Sequence, residues 1–132
     1  MSHQRLCVIR PAFNEASLIG RTLGRVRTVL PNADIIVVDG GSTDGTVAIA
    51  IQSGAMVIDA PRGRGIQCHA GAIRATTEWL LFLHADTLLP LEAKDVFLAF
   101  AARPTAQIST SRVRFAGSMN AGCSDSGCLM LN

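Results

Sequence analysis

Several short stretches of this chain carry side chains able to do chemistry. In Ile35-Ile36-Val37-Val38-Asp39-Gly40-Gly41-Ser42-Thr43-Asp44-Gly45-Thr46, an apolar run leads into a carboxylate and a glycine-rich turn. A fully apolar run of this length reads as a strand buried on both faces. In open α/β sheets, ligands sit beyond the carboxyl ends of such strands. Asp39 is thereby presented at a ligand-facing edge, and Gly40 and Gly41 allow close approach of backbone or ligand. The same residues also fit a plain βα turn braced by Asp39 and Asp44. A second run, Leu80-Leu81-Phe82-Leu83-His84-Ala85-Asp86-Thr87, repeats the pattern. Residues two apart in an extended chain point the same way, so His84 and Asp86 share a side. A carboxylate so placed can bind Mg2+ or Mn2+, which in turn hold phosphate oxygens, and Mn2+ tolerates an imidazole ligand better. The structural alternative is that Asp86 or Thr87 caps the next helix.

Two further stretches accompany these. Pro11-Ala12-Phe13-Asn14-Glu15 brings a rigid turn, an aromatic face and a carboxylate. It also fits an ordinary helix start, with Asn14 as cap and Glu15 favouring the helix dipole. Arg62-Gly63-Arg64-Gly65-Ile66-Gln67 sets arginines between glycines ahead of a helix, which suits an anion such as a diphosphate. Alone it also reads as a solvated loop. Each stretch follows a strand or precedes a helix, so all of them fall on one predicted sheet edge.

The elements that must position them alternate between strand and helix. Strands are expected at Leu6–Arg10 (closed by Pro11), Ile35–Asp39, Ala55–Asp59, Trp79–Leu83 and Gln107–Val113. Helices are expected at Glu15–Leu30, Thr46–Gln52, Gly65–Ala75 and Pro90–Ala101. The first helix carries Leu18, Ile19, Leu23, Val26 and Leu30 at helical spacing. The third carries Ile66, Ala70 and Ile73, and the last carries Leu91, Val96, Leu98 and Phe100. Asn14 is the expected cap of the first helix, and Ser42 or Thr43 that of the second. This alternation implies right-handed crossovers and a mostly parallel sheet under helices. From Gly117 to Asn132 no periodicity of either kind is present. The expected division is an incomplete α/β domain over 1–115 and an irregular, truncated or frame-shifted tail over 116–132.

With 132 residues, 48% of them hydrophobic, the chain is one domain with a real core. A formal charge of +2 with scattered Lys and Arg gives no nucleic-acid footprint, and 5% aromatic residues without Tyr give no base-stacking platform. No apolar stretch approaches the length of a transmembrane segment, and Met1–Arg5 is too polar for a secretory leader. Cys7, Cys68, Cys123 and Cys128 lack the Cys-x-x-Cys spacing, Cys7 reads as a buried apolar residue, and a reducing cytosolic setting is the simplest expectation.

Pro11-Ala12-Phe13-Asn14-Glu15, Val37–Thr46 and Leu83-His84-Ala85-Asp86-Thr87 together resemble the ordered motifs of family 2 glycosyltransferases of the GT-A fold. With the Arg-Gly-Arg-Gly-Ile-Gln loop, the pattern is most similar to the radical-SAM/selenodomain-associated subgroup. The likeness runs from about Leu6 to about Val113 and covers the N-terminal half of such a fold, a Rossmann-like sheet with helices on both faces. It implies transfer of a sugar, with inversion, from a nucleotide-diphospho-sugar, a UDP-sugar first among them, to an unassigned acceptor. It implies that Pro11, Phe13, Glu15, Asp39, Gly40, Arg64 and His84 bind the nucleotide sugar and that Asp86 holds Mn2+ or Mg2+. His84 stands where most of the family has the first Asp of Asp-x-Asp. The family's acceptor site and catalytic base belong to a C-terminal half not seen here, so no catalytic residue is assigned; Asp125 is the lone carboxylate of the tail. A non-catalytic nucleotide-binding fragment is the competing expectation. Apolar surface left by a missing half would favour self-association. The expected location is cytoplasmic, including the periphery of the membrane. A dinucleotide-dependent oxidoreductase needs Gly-x-Gly-x-x-Gly after the first strand, where Pro11–Glu15 stands instead.

Overall fold

The computed structural model describes residues 5–84, 88–101 and 128–131. Strands β1 (Leu6–Ala12), β2 (Asp34–Asp39), β3 (Met56–Asp59), β4 (Trp79–Leu83) and β5 (Cys128–Leu131) alternate with helices α1 (Ala16–Val29), α2 (Thr46–Gln52), α3 (Arg64–Arg74) and α4 (Ala93–Ala101), with α4 preceding β5. The strands form one parallel sheet in the order β3-β2-β1-β4-β5. The α/β class and the parallel sheet are as the alternation requires. β1 continues through Pro11, because its pairing with β4 ends at Ile9↔Phe82 and leaves the proline past that ladder. The fifth strand lies at Cys128–Leu131, in the stretch where the sequence has no periodicity. The strand expected at Gln107–Val113 lies outside the described residues.

Side chains alternate across the sheet. Val8, Ile35, Val37, Leu81 and Leu83 face the layer that includes Ile19, Leu23 and Val26 of α1, Ala50 of α2, and Ala93 and Phe97 of α4. Cys7, Ile9, Ile36, Val38, Leu80 and Phe82 face α3. Helices therefore cover both faces. Burying each such aliphatic side chain contributes about 1.5–3 kcal/mol. Trp79 meets Phe97 edge to face with ring centroids 5.9 Å apart, which docks α4 on β4.

Two helices turn differently from the apolar spacing. In α3 the expected core residues Ile66 and Ile73 are 54% and 72% exposed, and Gln67 and Gly71 face the sheet instead. The cause is close approach: a Cβ on Gly71 would lie 2.5 Å from Ile9 Cγ2 and 3.0 Å from Val38 Cγ2. In α4 Leu98 is exposed, as is Leu91 just before the helix, while Ala93 and Phe97 are buried; the side chains of Val96 and Phe100 lie outside the described residues.

The first turn of α1 is capped from elsewhere. Asn14 is not its N-cap; it adopts φ +48°, which Asn tolerates, and its Oδ1 accepts from the Thr43 amide. The Glu15 amide donates to Thr46 Oγ1 at 2.8 Å, and the Ala16 amide to Asp44 Oδ2 at 3.2 Å. The other oxygen of Asp44 accepts from the amide and hydroxyl of Thr46 at the start of α2. Gly45, not Ser42 or Thr43, is the cap residue of α2. One carboxylate thus serves two helix N-termini, both favourable to negative charge. The Thr46 hydroxyl first, then the surrounding amides, hold the Asp44 carboxyl below its ordinary 3.8. A depressed native value means that acid protonates the unfolded chain first. The stabilisation is therefore full above pH 3.8 and is lost as pH falls through the lower native value. Asp44→Asn should lower Tm at neutral pH, and urea titrations should show the gap from the parent closing as the pH is taken below that value.

Candidate functional site

β1, β2 and β3 succeed one another in one direction, and the chain then returns through α3 to place β4 on the other side of β1. The topological switch lies between β1 and β4, where a crevice must open beyond the carboxyl ends. A cleft of about 180 Å3 occupies that position, lined by Pro11 and Ala12 at the end of β1, by Phe13 and Glu15 after it, by Arg62, Gly63, Arg64 and Gln67 at the start of α3, and by His84 after β4.

The walls differ in chemistry. The Arg62 guanidinium lies over the Phe13 ring, 3.9 Å from its centroid, a cation–π pair at the mouth. Arg64 Nη2 stands 2.6 Å from His84 Nε2. A guanidinium only donates, so that ring nitrogen presents its lone pair to Arg64. Glu15 meets Arg10, whose Nη1 is 2.8 Å from Glu15 Oε2 and also donates to the Pro11 carbonyl at 2.8 Å. Arg10 is wholly buried, and its pairing with Glu15 is what makes that burial tolerable. With Glu15 so matched, Arg62 and Arg64 leave the mouth of the cleft positive.

Asp39 is 3% exposed and is not part of this wall. One of its oxygens accepts from the amides of Gly41 (3.1 Å) and Ser42 (2.9 Å), and the other from the Ser42 hydroxyl. Its carboxylate braces the β2–α2 turn, the role that the turn reading of this stretch provides for. Gly40 is buried beside it; a Cβ there would lie 3.0 Å from Gln67 Nε2 and 3.3 Å from the Arg62 backbone. Of the residues expected to bind a nucleotide sugar, the fold thus gathers Pro11, Phe13, Glu15, Arg64 and His84 around one cleft, with Asp39 and Gly40 in the adjoining turn. Asp86, the expected metal ligand, and Asp125 lie outside the described residues. Among the described residues no three His, Cys, Asp or Glu side chains gather as a metal site would need. His84 Nε2 faces Arg64.

The residue not anticipated is Gln67. It is 4% exposed and bonded to both neighbouring strand ends. Its signal in the sequence is its place four residues before Gly71, one helical turn away on the same face.

A second cavity, about 320 Å3, lies at the opposite edge of the sheet and includes Cys7, Arg27, Asp34 and Arg74 in its wall. Arg27 is already committed to the carbonyls of Ala33 (3.2 Å) and Gly54 (2.7 Å). Burial, reinforced by the Asp34 charge, pushes the Cys7 thiol up to about 11, so it is no nucleophile at neutral pH.

Residues 7–125 match the family described as Glycosyl transferase family 2. The 4,4'-diaponeurosporenoate glycosyltransferase of Staphylococcus aureus is 32% identical over an alignment of 105 positions that covers 74% of this chain and 28% of that enzyme. A mannosyltransferase from Pyrobaculum calidifontis, solved with GDP-Man and Mn2+, superposes with a TM-score of 0.64 at 28% identity, covering 76% of this chain and 33% of that one. Glucosyl-3-phosphoglycerate synthase from Mycobacterium tuberculosis, solved with Mn2+, UDP and glucosyl-3-phosphoglycerate, superposes with a TM-score of 0.58 at 26% identity, covering 64% and 34%. The chain thus spans about a third or less of each. No helix among the described residues is long and apolar enough to cross a membrane.

Proposed function

The chain belongs to glycosyl transferase family 2, and from that premise we propose that the cleft between β1 and β4 holds the nucleoside diphosphate of an activated sugar donor. One observation carries the reading: Arg62 and Arg64 stand at the N-terminus of α3, beside Phe13, at the sheet's switch point. Guanidinium forks match phosphate oxygens, and the amides that open a helix favour the same charge. Phe13 and Glu15 serve the nucleoside side. Asp39 acts through the turn that it braces. The proposed reaction moves a glycosyl group with inversion. An acceptor hydroxyl oxygen bonds to the anomeric carbon, the bond to the diphosphate breaks, and the hydroxyl proton passes to a base. UDP is the first choice of carrier and GDP the alternative; the Mycobacterium synthase is solved with UDP and the Pyrobaculum enzyme with GDP-Man. The Mn2+ in both supports a divalent cation here, with Asp86 as its ligand; when bound it supplies positive charge for the leaving diphosphate.

A ligand that binds only the folded chain raises its stability, by about 2.7 kcal/mol at a hundredfold excess over Kd. UDP should therefore raise Tm by several degrees, and adding Mn2+ should raise it further. No shift at millimolar UDP or GDP, with or without Mn2+, contradicts the reading. A second reading concerns these residues alone, which span 28% of the length of the Staphylococcus enzyme. It is a nucleotide-binding piece without turnover, which gives the same shift but no release of sugar from UDP-glucose in a product assay.

A further inference from the structure

We infer that Gln67 is a positioning residue that sets the two arginines of the cleft against the ends of β1 and β2. Its side chain is 4% exposed, and its polar atoms meet partners on three segments. Nε2 donates to the Ala12 carbonyl at 3.0 Å and to the Val38 carbonyl at 2.8 Å. Oε1 accepts from the Gly63 amide at 3.0 Å. The orientation of the amide is fixed by chemistry, because both carbonyls can only accept. Ala12 ends β1 and adjoins Phe13; Val38 precedes Asp39; Gly63 lies between Arg62 and Arg64. One side chain therefore ties the aromatic wall, the acidic turn and the basic loop together.

Two glycines make room for it. Gly71, one turn further along α3, lets the helix settle on Ile9 and Val38. Gly40 leaves the space in which the Gln67 amide sits, 3.0 Å from where a Cβ would be. No other side chain has this combination of two donors and an acceptor at this reach: a carboxylate cannot donate to two carbonyls, and a methionine fills the volume without bonding. Releasing Gly63 frees the backbone that carries Arg62 and Arg64, whose forks need fixed geometry to grip a diphosphate.

The inference rests on the reading of the cleft as a diphosphate site, and the test separates the two. Calorimetric Kd values for UDP and for uridine are measured on the parent, Gln67→Met and Gln67→Ala, with amide exchange followed at Gly63 and at the strand amides of Val37 and Val38. The expected result is that both variants lose about tenfold in UDP affinity, with a smaller change for uridine. The Gly63 amide exchanges faster while Val37 and Val38 stay protected. A purely structural role would move both ligands alike. If Gln67→Met keeps the parent's preference for UDP over uridine, volume alone suffices and the inference is overturned while the diphosphate reading stands. If the parent has no preference for UDP over uridine, the diphosphate reading fails and takes the inference with it.

Discussion

Arg64→Ala is expected to weaken UDP binding by roughly one to two orders of magnitude while leaving Tm without ligand within a few degrees of the parent. Arg64 is exposed, and its recorded hydrogen-bond partner is His84, so truncating it removes little packing. A hydrogen bond to a charged group is worth about 1.5–3 kcal/mol, which is the source of that range. The loss should shrink at high salt, where the charge of the open cleft is screened. Arg62→Ala should cost less, because part of that guanidinium's interaction is with Phe13. Titrations of UDP at low and high ionic strength check both statements. Undiminished affinity in Arg64→Ala would remove the anion from this cleft.

Gly71→Ala is expected to destabilise the fold although alanine is the better helix former. Helix propensity favours the substitution by about 1 kcal/mol. Against it stands a Cβ placed 2.5 Å from Ile9 Cγ2 and 3.0 Å from Val38 Cγ2. Both neighbours are β-branched and fully buried, so neither can turn aside cheaply. Overpacking of a tight core costs about 1–3 kcal/mol, and at this distance the upper end applies. The net effect is a loss of stability, larger again for Gly71→Val. Lifting α3 also draws Gln67 away from Ala12 and Val38, so nucleotide affinity should fall with stability. Chemical denaturation gives the first quantity. A Gly71→Ala protein as stable as the parent would mean that α3 does not sit so close to the sheet.

The contrast between α1 and α3 explains how far the fold was legible. Apolar spacing found the buried face of α1 except for Leu18, which is 44% exposed, because a helix that packs at ordinary distance does so through large side chains such as Ile19, Leu23 and Val26. In α3 the same reading picks Ile66 and Ile73, which are exposed, since a close-packed helix presents its smallest residue to the sheet. A glycine at such a contact looks like a breaker in the sequence. The strands were readable as apolar runs, and β4 has the expected bounds. β5 was not, because Ser, Gly and Asp precede it and a four-residue run carries little period.

The site was legible in its residue types more than in its roles. Motifs at strand ends brought Phe13, Glu15, Arg64 and His84 to one edge, as parallel topology demands. Asp39 is braced within its own turn, but the contacts of Asn14 with Ser42 and of Asp44 with Ala16 depend on how two loops meet across 28 residues of sequence, which no local pattern encodes. Gln67 reads as one more polar residue on a helix until the carbonyls of Ala12 and Val38 are placed beside it.

A crystal structure with UDP bound tests the central claim most directly. The diphosphate should lie within hydrogen-bonding distance of Arg64, against the N-terminus of α3, with the nucleoside toward Phe13 and Glu15. UDP seated instead in the cavity at the opposite edge of the sheet, against Arg74 and Asp34, would contradict it.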